Sequence, residues 1–328
     1  MYTEIVSSLS GMKLEKWKSF IFDAGLNDDN LIEKTVIVWN NDDIAAVGSR
    51  YNNILKLIAV DSAHRGEDLT STVISELRKD AFNDGYRSLF LYTKPQNESI
   101  FSSLFFYPLA KTNEVVLLED KKDGLSQFVS SLPKSMSVGR IGAIVMNANP
   151  FTLGHQYLVE TAARKCDHLY IFVLSEDKSE FSSADRFEMV KLGTKHLDNV
   201  SVLPTGPYLI SSATFPTYFL KDRDNATEAQ CKLDVEIFVK YFVPALGITH
   251  RYVGSEPLSP LTNAYNRALK DNLPKSGVAL REIDRKTSGG EPISASRVRK
   301  LLEAKEKDEL SLLLPETTIN YLTKKELL

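Results

Sequence analysis

A regular alternation of short apolar segments with longer amphipathic segments in the second half of the chain most constrains its fold. The apolar segments have the length of buried strands and lie at residues 141–146, 169–174, 200–203 and 251–253. The segments with helical periodicity lie at residues 153–165, 184–197, 235–243, 263–273 and 294–304. Because parallel strands need crossover connections, this alternation predicts an α/β fold with a doubly wound, Rossmann-like parallel sheet and a ligand site at the carboxyl ends of its strands.

The first third of the chain has a different order of predicted elements. Three segments rich in Val and Ile, at 35–39, 44–49 and 54–60, are separated by Asn/Asp turns and predict an antiparallel meander. A helix (68–82), a strand (88–92), a short helix (97–104) and a strand (115–118) follow. This βββαβαβ order predicts a separate α+β domain. The Pro-, Gly- and Ser-containing segment 132–139 reads as a connector, so the predicted domains are 1–135 and 136–328.

The balance of charges limits the binding partners that we expect, and the cysteine content indicates the cellular compartment. The 40 Lys and Arg residues nearly balance the 43 Asp and Glu residues, so we expect no nucleic-acid partner and no anionic membrane surface. No apolar run approaches the roughly 18 residues that span a bilayer, and charged residues interrupt the N-terminal segment where a signal peptide would need an apolar core. Cys166 and Cys231 form neither a disulfide framework nor a zinc-ligand set, which predicts reduced thiols in a cytoplasmic protein without a metal site.

The first strand of the second half leads directly into a candidate anion site. Asn147 and Asn149 follow this strand, and the turn Thr152-Leu-Gly154-His155 opens the next predicted helix. The N–H groups at the start of a helix attract anions, and Gly154 lets a ligand approach the backbone closely. The sequence matches neither the Gly-x-Gly-x-x-Gly fingerprint nor the P-loop. An alternative interpretation is that His155 only caps or packs in the first helical turn.

A second candidate anion site lies at the start of the last predicted helix. Ser294 and Ser296 are both possible N-caps in the stretch Ile293-Ser-Ala-Ser-Arg-Val-Arg299. Arg299 lies in the same first turn and carries a guanidinium fork suited to phosphate oxygens. An ordinary capped surface helix is the alternative.

These two motifs, in this order, resemble the signatures of the nucleotidyltransferase superfamily. Lys178, Asp185-Arg186 and the stretch Gly254-Ser-Glu256 fall between them in the order that this superfamily shows. The resemblance implies that the second domain binds ATP, usually with Mg²⁺ on the phosphates, and directs attack on the α-phosphate with release of pyrophosphate.

The same resemblance implies roles for individual residues. Thr152 and His155 would donate to the reacting phosphate, and Lys178 and Arg299 would hold phosphate charge. The implied nucleotide-binding positions are Asn147, Asn149, Gly154, Arg186, Gly254, Ser255, Glu256, Ile293, Ser294 and Ser296. A salt-bridged structural role is an open alternative for Arg186, and a loop-holding role is an open alternative for Glu256.

Longer stretches resemble the citrate lyase ligase family. They lie at 145–152, 211–219, 244–257 and 292–299, and the likeness covers most of residues 140–320. The first domain is similar in its βββαβαβ order to the GNAT acyltransferase fold. Membership would imply AMP-forming activation of acetate, followed by acetylation of a thiol on the citrate lyase acyl carrier subunit. That thiol belongs to a prosthetic group derived from dephospho-coenzyme A, and its acetylation activates the lyase.

The turn before the long helix of the first domain departs from the GNAT pattern. The sequence Arg65-Gly66-Glu-Asp68-Leu-Thr70 has Asp68 and Thr70 where that pattern has glycine or another small residue. Carboxylates near a pyrophosphate site are unfavourable, so free acetyl-coenzyme A is not the expected ligand. We hypothesise that Arg65 and Gly66 help to dock the carrier's coenzyme-A-like arm, with a purely structural domain as the alternative.

Three other functions remain open on the sequence alone. The chain could be an adenylyltransferase that joins AMP to a phosphorylated metabolite such as a pantetheine phosphate. It could also be a protein acetyltransferase with a nucleotide-sensing second domain, or a non-catalytic adaptor. The aromatic residues Tyr208, Phe215, Tyr218 and Phe219 are candidates for an acyl pocket, although such a cluster is more often part of a core.

Overall fold

The computed structural model describes residues 1–29, 31–176, 179–209, 215, 218, 223–255, 260–304 and 306–328. The chain forms two compact units, one of residues 1–125 with 214–233 and one of residues 126–213 with 234–328. The division at residue 125 precedes the predicted boundary at 135. Residues 214–233, which the sequence interpretation placed in the second domain, group with the first unit because Tyr218 accepts a hydrogen bond from the Asn27 N–H at 2.8 Å and Phe215 packs edge-on against Tyr92.

The first unit is an α+β arrangement around one mixed sheet. Its elements are β1 (Tyr2–Val6), α1 (Gly11–Asp23), β2 (Lys34–Asn40), β3 (Asp43–Tyr51), β4 (Ile54–Val60), α2 (Leu69–Asn83), β5 (Phe90–Thr93), α3 (Glu98–Ser103), β6 (Tyr107–Lys111) and β7 (Val116–Glu119). Helix α4 (Gly124–Ser131) spans the division. The strands lie in the order β1-β2-β3-β4-β5-β7-β6.

The GNAT-like α+β fold class predicted for this unit is confirmed. Strands β2, β3 and β4 form the predicted antiparallel meander. Helix α2 buries Leu69, Val73, Leu77 and Ala81, the stripe that its sequence spacing predicts. Strand β1, helix α1 and strand β6 were not predicted, because β1 is an edge strand with mostly exposed residues and β6 contains Pro108.

The second unit contains the predicted doubly wound parallel sheet. Its elements begin with β8 (Ile141–Met146), α5 (Leu153–Ala163), β9 (His168–Val173), α6 (Ser183–Thr194), β10 (Val200–Pro204), α8 (Val243–Leu246) and β11 (His250–Gly254). They continue with α9 (Pro260–Asn272), β12 (Ala279–Ile283), β13 (Thr287–Ser288), β14 (Glu291–Pro292), α10 (Ala295–Ala304), α11 (Lys307–Leu310) and α12 (Glu316–Lys324). Helix α7 (Arg223–Ile237), like α4, spans the division between the units. A π-helical turn, Phe238–Phe242, joins α7 to α8. The five parallel strands lie in the order β10-β9-β8-β11-β12.

The core of the second unit lies against this sheet and fixes the start of α5. All six residues of β9 are buried, as expected for a strand covered on both faces. Phe151, just before α5, is fully buried in the same cluster as Met189 and Val298. A Cβ atom at Gly193 of α6 would lie 2.4 Å from the Phe151 ring, so only glycine lets α6 pack this closely. Among the described residues, no helix is both long and apolar enough to cross a membrane.

A carboxylate ties the C-terminal helix to the body of the second unit. Asp185, in the first turn of α6, accepts hydrogen bonds from the hydroxyls of Ser182 and Tyr321, both at 2.6 Å, and forms an ion pair with Lys325 at 3.1 Å. The Ser182 and Tyr321 hydroxyls, with Lys325, lower the pKa of Asp185 from 3.8 to about 2, even though partial burial opposes the shift.

This depressed pKa predicts an acid-dependent loss of stability. The folded protein holds Asp185 ionised more strongly than the unfolded chain does, so its contribution is complete above about pH 4 and disappears as the pH falls towards 2. We expect Asp185→Asn to lower the free energy of unfolding by about 2 kcal/mol at pH 7, with the difference from wild type shrinking below pH 4. Urea unfolding at several pH values measures this difference. A constant difference from pH 7 to pH 3 would contradict the assignment.

Candidate nucleotide site

Residues that follow the central strands of the second unit meet at one edge of the sheet. The parallel register pairs Met146 with Val173, and Gly254 with Ile283, so the segments after β8, β9, β11 and β12 leave the same edge. Chain order reverses between β8 and β11, which is where doubly wound sheets open a ligand crevice. Both sequence motifs lie at this edge.

The Thr152-Leu-Gly-His155 turn forms a capping box at the start of α5. The Thr152 N–H donates to Nδ1 of His155 at 3.1 Å, and the His155 N–H donates to Oγ1 of Thr152 at 3.4 Å. Because Nδ1 accepts a hydrogen bond, the neutral imidazole carries its proton on Nε2. The alternative capping role of His155 is therefore present, and it leaves an Nε2–H donor at the helix start.

The imidazole of His155 stays neutral over the physiological pH range. Burial lowers the pKa of His155 from 6.5 to about 4, and the nearby positive charge of Arg285 adds to this shift. The ring stacks on Phe151, with centroids 5.8 Å apart and an interplanar angle of 19°. His155 is thus an oriented, uncharged donor rather than a cation.

Gly154 brings the two motifs into direct contact. A Cβ atom at position 154 would lie 3.3 Å from the carbonyl oxygen of Ile293 and 3.4 Å from Oγ1 of Thr152. Ile293 is buried, and its N–H donates to the carbonyl of Lys286 at 3.0 Å. The start of α5 and the segment that enters α10 therefore pack backbone against backbone.

Arg299 ties α10 to the loop that follows β8. Its Nη1 donates to the carbonyl oxygen of Asn149 at 2.7 Å, and its Nη2 donates to Oγ of Ser296 at 3.3 Å. A longer ion pair, 3.8 Å, joins its Nε to Glu180. Ser294 caps α10, since its Oγ accepts the N–H of Arg297 at 3.2 Å. This arrangement places a guanidinium beside two helix starts.

The side chain of Arg186 is fully buried and holds the loops that follow β8 and β9. Its Nη1 donates to the carbonyl of Leu174 at 2.7 Å and to both the carbonyl and Oδ1 of Asn147, and its Nη2 donates to the carbonyl of Glu176. Its Nε donates to the carbonyl of Phe181 at 3.1 Å. Asn149 is also largely buried, with its Oδ1 accepting the Phe181 N–H. These contacts engage Nε, Nη1 and Nη2 of Arg186 with the loop segments on either side.

Arg285 is a site residue that the sequence reasoning missed. It follows β12, and its Nε donates to the carbonyl of Ser255 at 2.7 Å while its N–H donates to the Ser255 hydroxyl at 3.2 Å. Asn266 in turn donates to the carbonyl of Gly254 at 3.1 Å. Arg285 could have been found from the sequence only through strand β12, which ends just before it. That strand was not predicted, because its sequence, Ala-Leu-Arg-Glu-Ile, contains two charged residues.

The electrostatic effect of Arg285 on His155 gives a direct prediction. A cation disfavours protonation of a neighbouring imidazole, so Arg285→Ala should raise the pKa of His155 above its present value of about 4. An NMR titration of the His155 ring measures this pKa. Arg281→Ala is the matched control, because it removes an exposed arginine from the same strand and should leave that pKa in place. An unchanged pKa in Arg285→Ala would contradict the proximity of the two groups.

Several other predicted residues lie away from this edge of the sheet or outside the residues that the structure describes. Lys178, Glu256 and Phe219 are outside the described residues. Arg65 and Gly66 lie in the first unit, before α2. Tyr208 packs on Phe128 in the second unit, whereas Phe215 and Tyr218 belong to the first unit. Within the described part of the chain, no group of three or more His, Cys, Asp or Glu side chains is placed to hold a metal ion.

A doubly wound α/β domain with both motifs at its switch point is the arrangement that the nucleotidyltransferase resemblance predicts. Residues 141–322 match the family model described as the citrate lyase ligase C-terminal domain. The chain is 42% identical over 322 residues to the citrate (pro-3S)-lyase ligase of Haemophilus influenzae, covering 95% of this chain and 96% of that protein. It is 41% identical over 296 residues to the enzyme of the same name from Klebsiella pneumoniae, covering 88% and 86% of the two chains.

The chain therefore belongs to the citrate lyase ligase family, which confirms the resemblance read from the motifs, and it is an enzyme of the ligase class. A partial likeness to the phosphopantetheine adenylyltransferase of Streptococcus gordonii, 25% identical over 160 residues, covers 45% of this chain and 96% of that protein. A structure of Thermotoga maritima TmcAL bound with alpha-thio ATP has a TM-score of 0.36 and 17% identity, over 57% of this chain and 56% of that one.

Proposed function

We propose that this chain is an AMP-forming ligase that activates acetate with ATP and acetylates the thiol of the prosthetic group on the citrate lyase acyl carrier subunit. The observation that carries this proposal is the convergence of the His155 turn and the Ile293–Arg299 segment, in a chain of the citrate lyase ligase family. Full-length coverage of the relatives supports the complete two-step reaction rather than nucleotide binding alone.

The first step transfers AMP to acetate. A carboxylate oxygen of acetate attacks the α-phosphorus of ATP, the bond from that phosphorus to the oxygen bridging to the β-phosphorus breaks, and pyrophosphate leaves with the electron pair. Negative charge builds up on the α-phosphate oxygens during this displacement. His155, through Nε2–H, the N–H of Gly154 at the start of α5 and the first N–H groups of α10 stabilise this charge without needing a proton transfer.

Arg299 and Arg285 hold the remaining phosphate charge. Two nitrogens of Arg299 are engaged by Asn149 and Ser296, which fixes the plane of the guanidinium while further N–H groups can meet a phosphate oxygen. Arg285 is fixed in a similar way by Ser255. We assign Lys178 the same task on the sequence motif, and Glu256 the task of holding the loop beside the nucleotide.

The second step forms the thioester. The carrier's sulfur attacks the carbonyl carbon of acetyl-AMP, the bond from that carbon to the phosphate oxygen breaks, AMP leaves, and the thiol proton passes to solvent. The protein's own cysteines take no part: Cys166 is half-buried, with its thiol pKa raised by burial, and Cys231 is buried. We propose the cytoplasm as the location of this reaction, because protein thiols and a thiol substrate suit a reducing compartment.

We propose that Mg²⁺ enters with ATP, held by phosphate oxygens and water. Magnesium is commonly bound through substrate phosphates rather than by an all-protein cage, and the described residues offer no such cage. The ion would neutralise phosphate charge, and no protein ligand is assigned to it.

Acetate-dependent exchange of labelled pyrophosphate into ATP tests the proposal. The ligase reaction predicts exchange with acetate alone, and ATP-dependent acetylation of the carrier once that subunit is added. Exchange that needs a phosphate-bearing acceptor such as pantetheine phosphate, with none on acetate, would favour the adenylyltransferase alternative. Acetyl transfer from acetyl-coenzyme A without ATP would favour the protein acetyltransferase instead.

A further inference from the structure

A buried arginine on the parallel sheet of the second unit has donors that the fold leaves unused. Arg251, in β11, is only 1% exposed. Its Nε and Nη1 are buried and have no hydrogen-bond partner among the residues that the structure describes. An arginine side chain keeps its charge in a protein, and a buried donor without a partner is costly. These two nitrogens therefore need an acceptor that the described part of the chain does not supply.

The charge around Arg251 favours a small acceptor. Asp234 is nearly fully buried and accepts a hydrogen bond from the hydroxyl of Tyr265. Burial lowers the pKa of Arg251, and the nearby Tyr265 and Asp234 oppose this shift. Because one carboxylate already balances the guanidinium, the site suits a further monoanion better than the polyanionic phosphate chain of ATP.

The side chain of Arg251 extends towards the ligand edge of the sheet. Arg251 is three residues before Gly254, the last residue of β11, so its Cα lies about 10 Å from that edge. Tyr265 of α9 lies beside the guanidinium, and the next residue, Asn266, donates to the Gly254 carbonyl at 3.1 Å. Strand β11 neighbours β8, where the chain order reverses. The guanidinium is therefore placed below the proposed nucleotide site.

Aromatic rings form an apolar wall next to this cation. The guanidinium lies over the ring of Phe238, 4.7 Å from its centroid. Phe238 stacks on Phe242 with centroids 6.1 Å apart, and Phe172 of β9 packs edge-on against Phe242 at 5.3 Å. On β8, the residue paired with Arg251 is Ala143, so the side chain beside it on that strand is a single methyl group. A ligand at this place meets a cation at one end and aromatic carbon at the other.

We propose that Arg251 binds the carboxylate of a short-chain monocarboxylic acid, the acetate of the proposed reaction, with the methyl group of the acid against Phe238 and Phe242. The inference rests on the proposed function, which requires a carboxylate substrate. Nη1 of Arg251 holds one carboxylate oxygen, and the other oxygen attacks the α-phosphorus of ATP as pyrophosphate leaves. In the second step the same N–H stabilises the negative charge that forms on the carbonyl oxygen when the carrier's sulfur attacks. The two rings limit the length of the acid.

Replacing both charges of the buried pair tests the proposal. Arg251→Met/Asp234→Asn removes the donor without leaving an unpaired buried carboxylate, so the fold should be retained. We expect the KM for acetate in pyrophosphate exchange to rise about tenfold or more, with the KM for ATP within about twofold. Sodium acetate, compared with sodium chloride at equal ionic strength, should raise the melting temperature of the wild type but not of the double variant. Arg267→Met, an exposed change on α9, is the control and should behave as wild type.

Phe238→Leu gives a second test that leaves Arg251 in place. The smaller side chain opens space at the methyl end of the acid while keeping an apolar surface. We expect the ratio of kcat/KM for propionate to kcat/KM for acetate to rise about tenfold, the usual scale for one methylene group in an apolar pocket. An unchanged ratio would overturn the placement of the acid against this ring.

The outcomes separate this inference from the proposed function. If the wild type shows acetate-dependent exchange but the double variant keeps its KM for acetate, the assignment of Arg251 is overturned and the ligase function stands. A lower kcat and melting temperature with an unchanged KM for acetate would show a structural role alone, which also overturns it. If exchange is absent in the wild type while acetate raises its melting temperature in a manner that depends on Arg251, the ligase function fails and the carboxylate site remains.

Discussion

Replacing His155 by alanine should lower kcat for acetate activation by about 10²–10³-fold, the usual cost of removing one oriented donor from a developing phosphate or oxyanion charge. The structure orients this donor through a chain of contacts. Nδ1 accepts the Thr152 N–H, which leaves the proton on Nε2, and the ring stacks on buried Phe151. The measurement is acetate-dependent pyrophosphate exchange in wild type and variant.

His155→Gln separates catalysis from helix capping. Glutamine at the third helical position is a natural capping-box partner of threonine, so it can still accept the Thr152 N–H. Its amide Nε2–H donors lie on a flexible side chain and not in the fixed plane of an imidazole ring. We therefore expect His155→Gln to melt near the wild-type temperature yet remain about as inactive as His155→Ala. Full activity in His155→Gln would mean that His155 only caps the helix and does not stabilise the reacting phosphate.

A control and a pH profile sharpen this test. His196→Ala removes an exposed histidine that pairs with Glu160 on the same unit, and should leave exchange unchanged. Because the pKa of folded His155 is about 4 against 6.5 in the unfolded chain, the folded protein resists its protonation. Stability should therefore fall as the pH drops from about 6.5 to 4, and no kinetic transition near pH 6.5 should belong to His155.

Replacing Arg186 by lysine should lower the free energy of unfolding by about 3 kcal/mol, a large effect for a substitution that keeps the charge. The guanidinium is fully buried and serves carbonyl groups on three loop segments, at Asn147, at Leu174–Glu176 and at Phe181. An ammonium group reaches fewer of them and leaves a buried charge and several buried carbonyls without partners. Urea unfolding measures the loss.

The kinetics of Arg186→Lys show whether Arg186 positions the loop or binds ATP directly. If Arg186 acts through the loop, Arg186→Lys loses stability, and substrate ATP should restore part of it. A phosphate ligand would instead give a raised KM for ATP with unchanged unfolding. Arg297→Lys is the control, since its ion pairs with Glu291 and Glu309 lie on the surface and should change stability by less than about 1 kcal/mol.

Much of this architecture followed from local patterns. The buried strands β8 and β9, the helices α2 and α5 and the meander β2–β4 have strong periodicity or β-branched content, and all were predicted close to their observed bounds. Among the strands that were missed, β1, β6 and β12 are short, exposed or charged, so side-chain pattern carries little information there. Their pairing comes from neighbouring strands rather than from their own residues.

The sequence by itself determined the two fold classes, the family, and the motif pair of Thr152–His155 and Ile293–Arg299. Only the tertiary structure decided which side chains within those motifs are open to a ligand, because that depends on hydrogen bonds between residues far apart in the chain. In the folded chain, Arg186 lies among loop carbonyls and Arg285 lies near His155. The same long-range packing determines the tautomer of His155 and lowers its pKa. Desolvation and long-range contacts set these properties, and neither is encoded in local spacing.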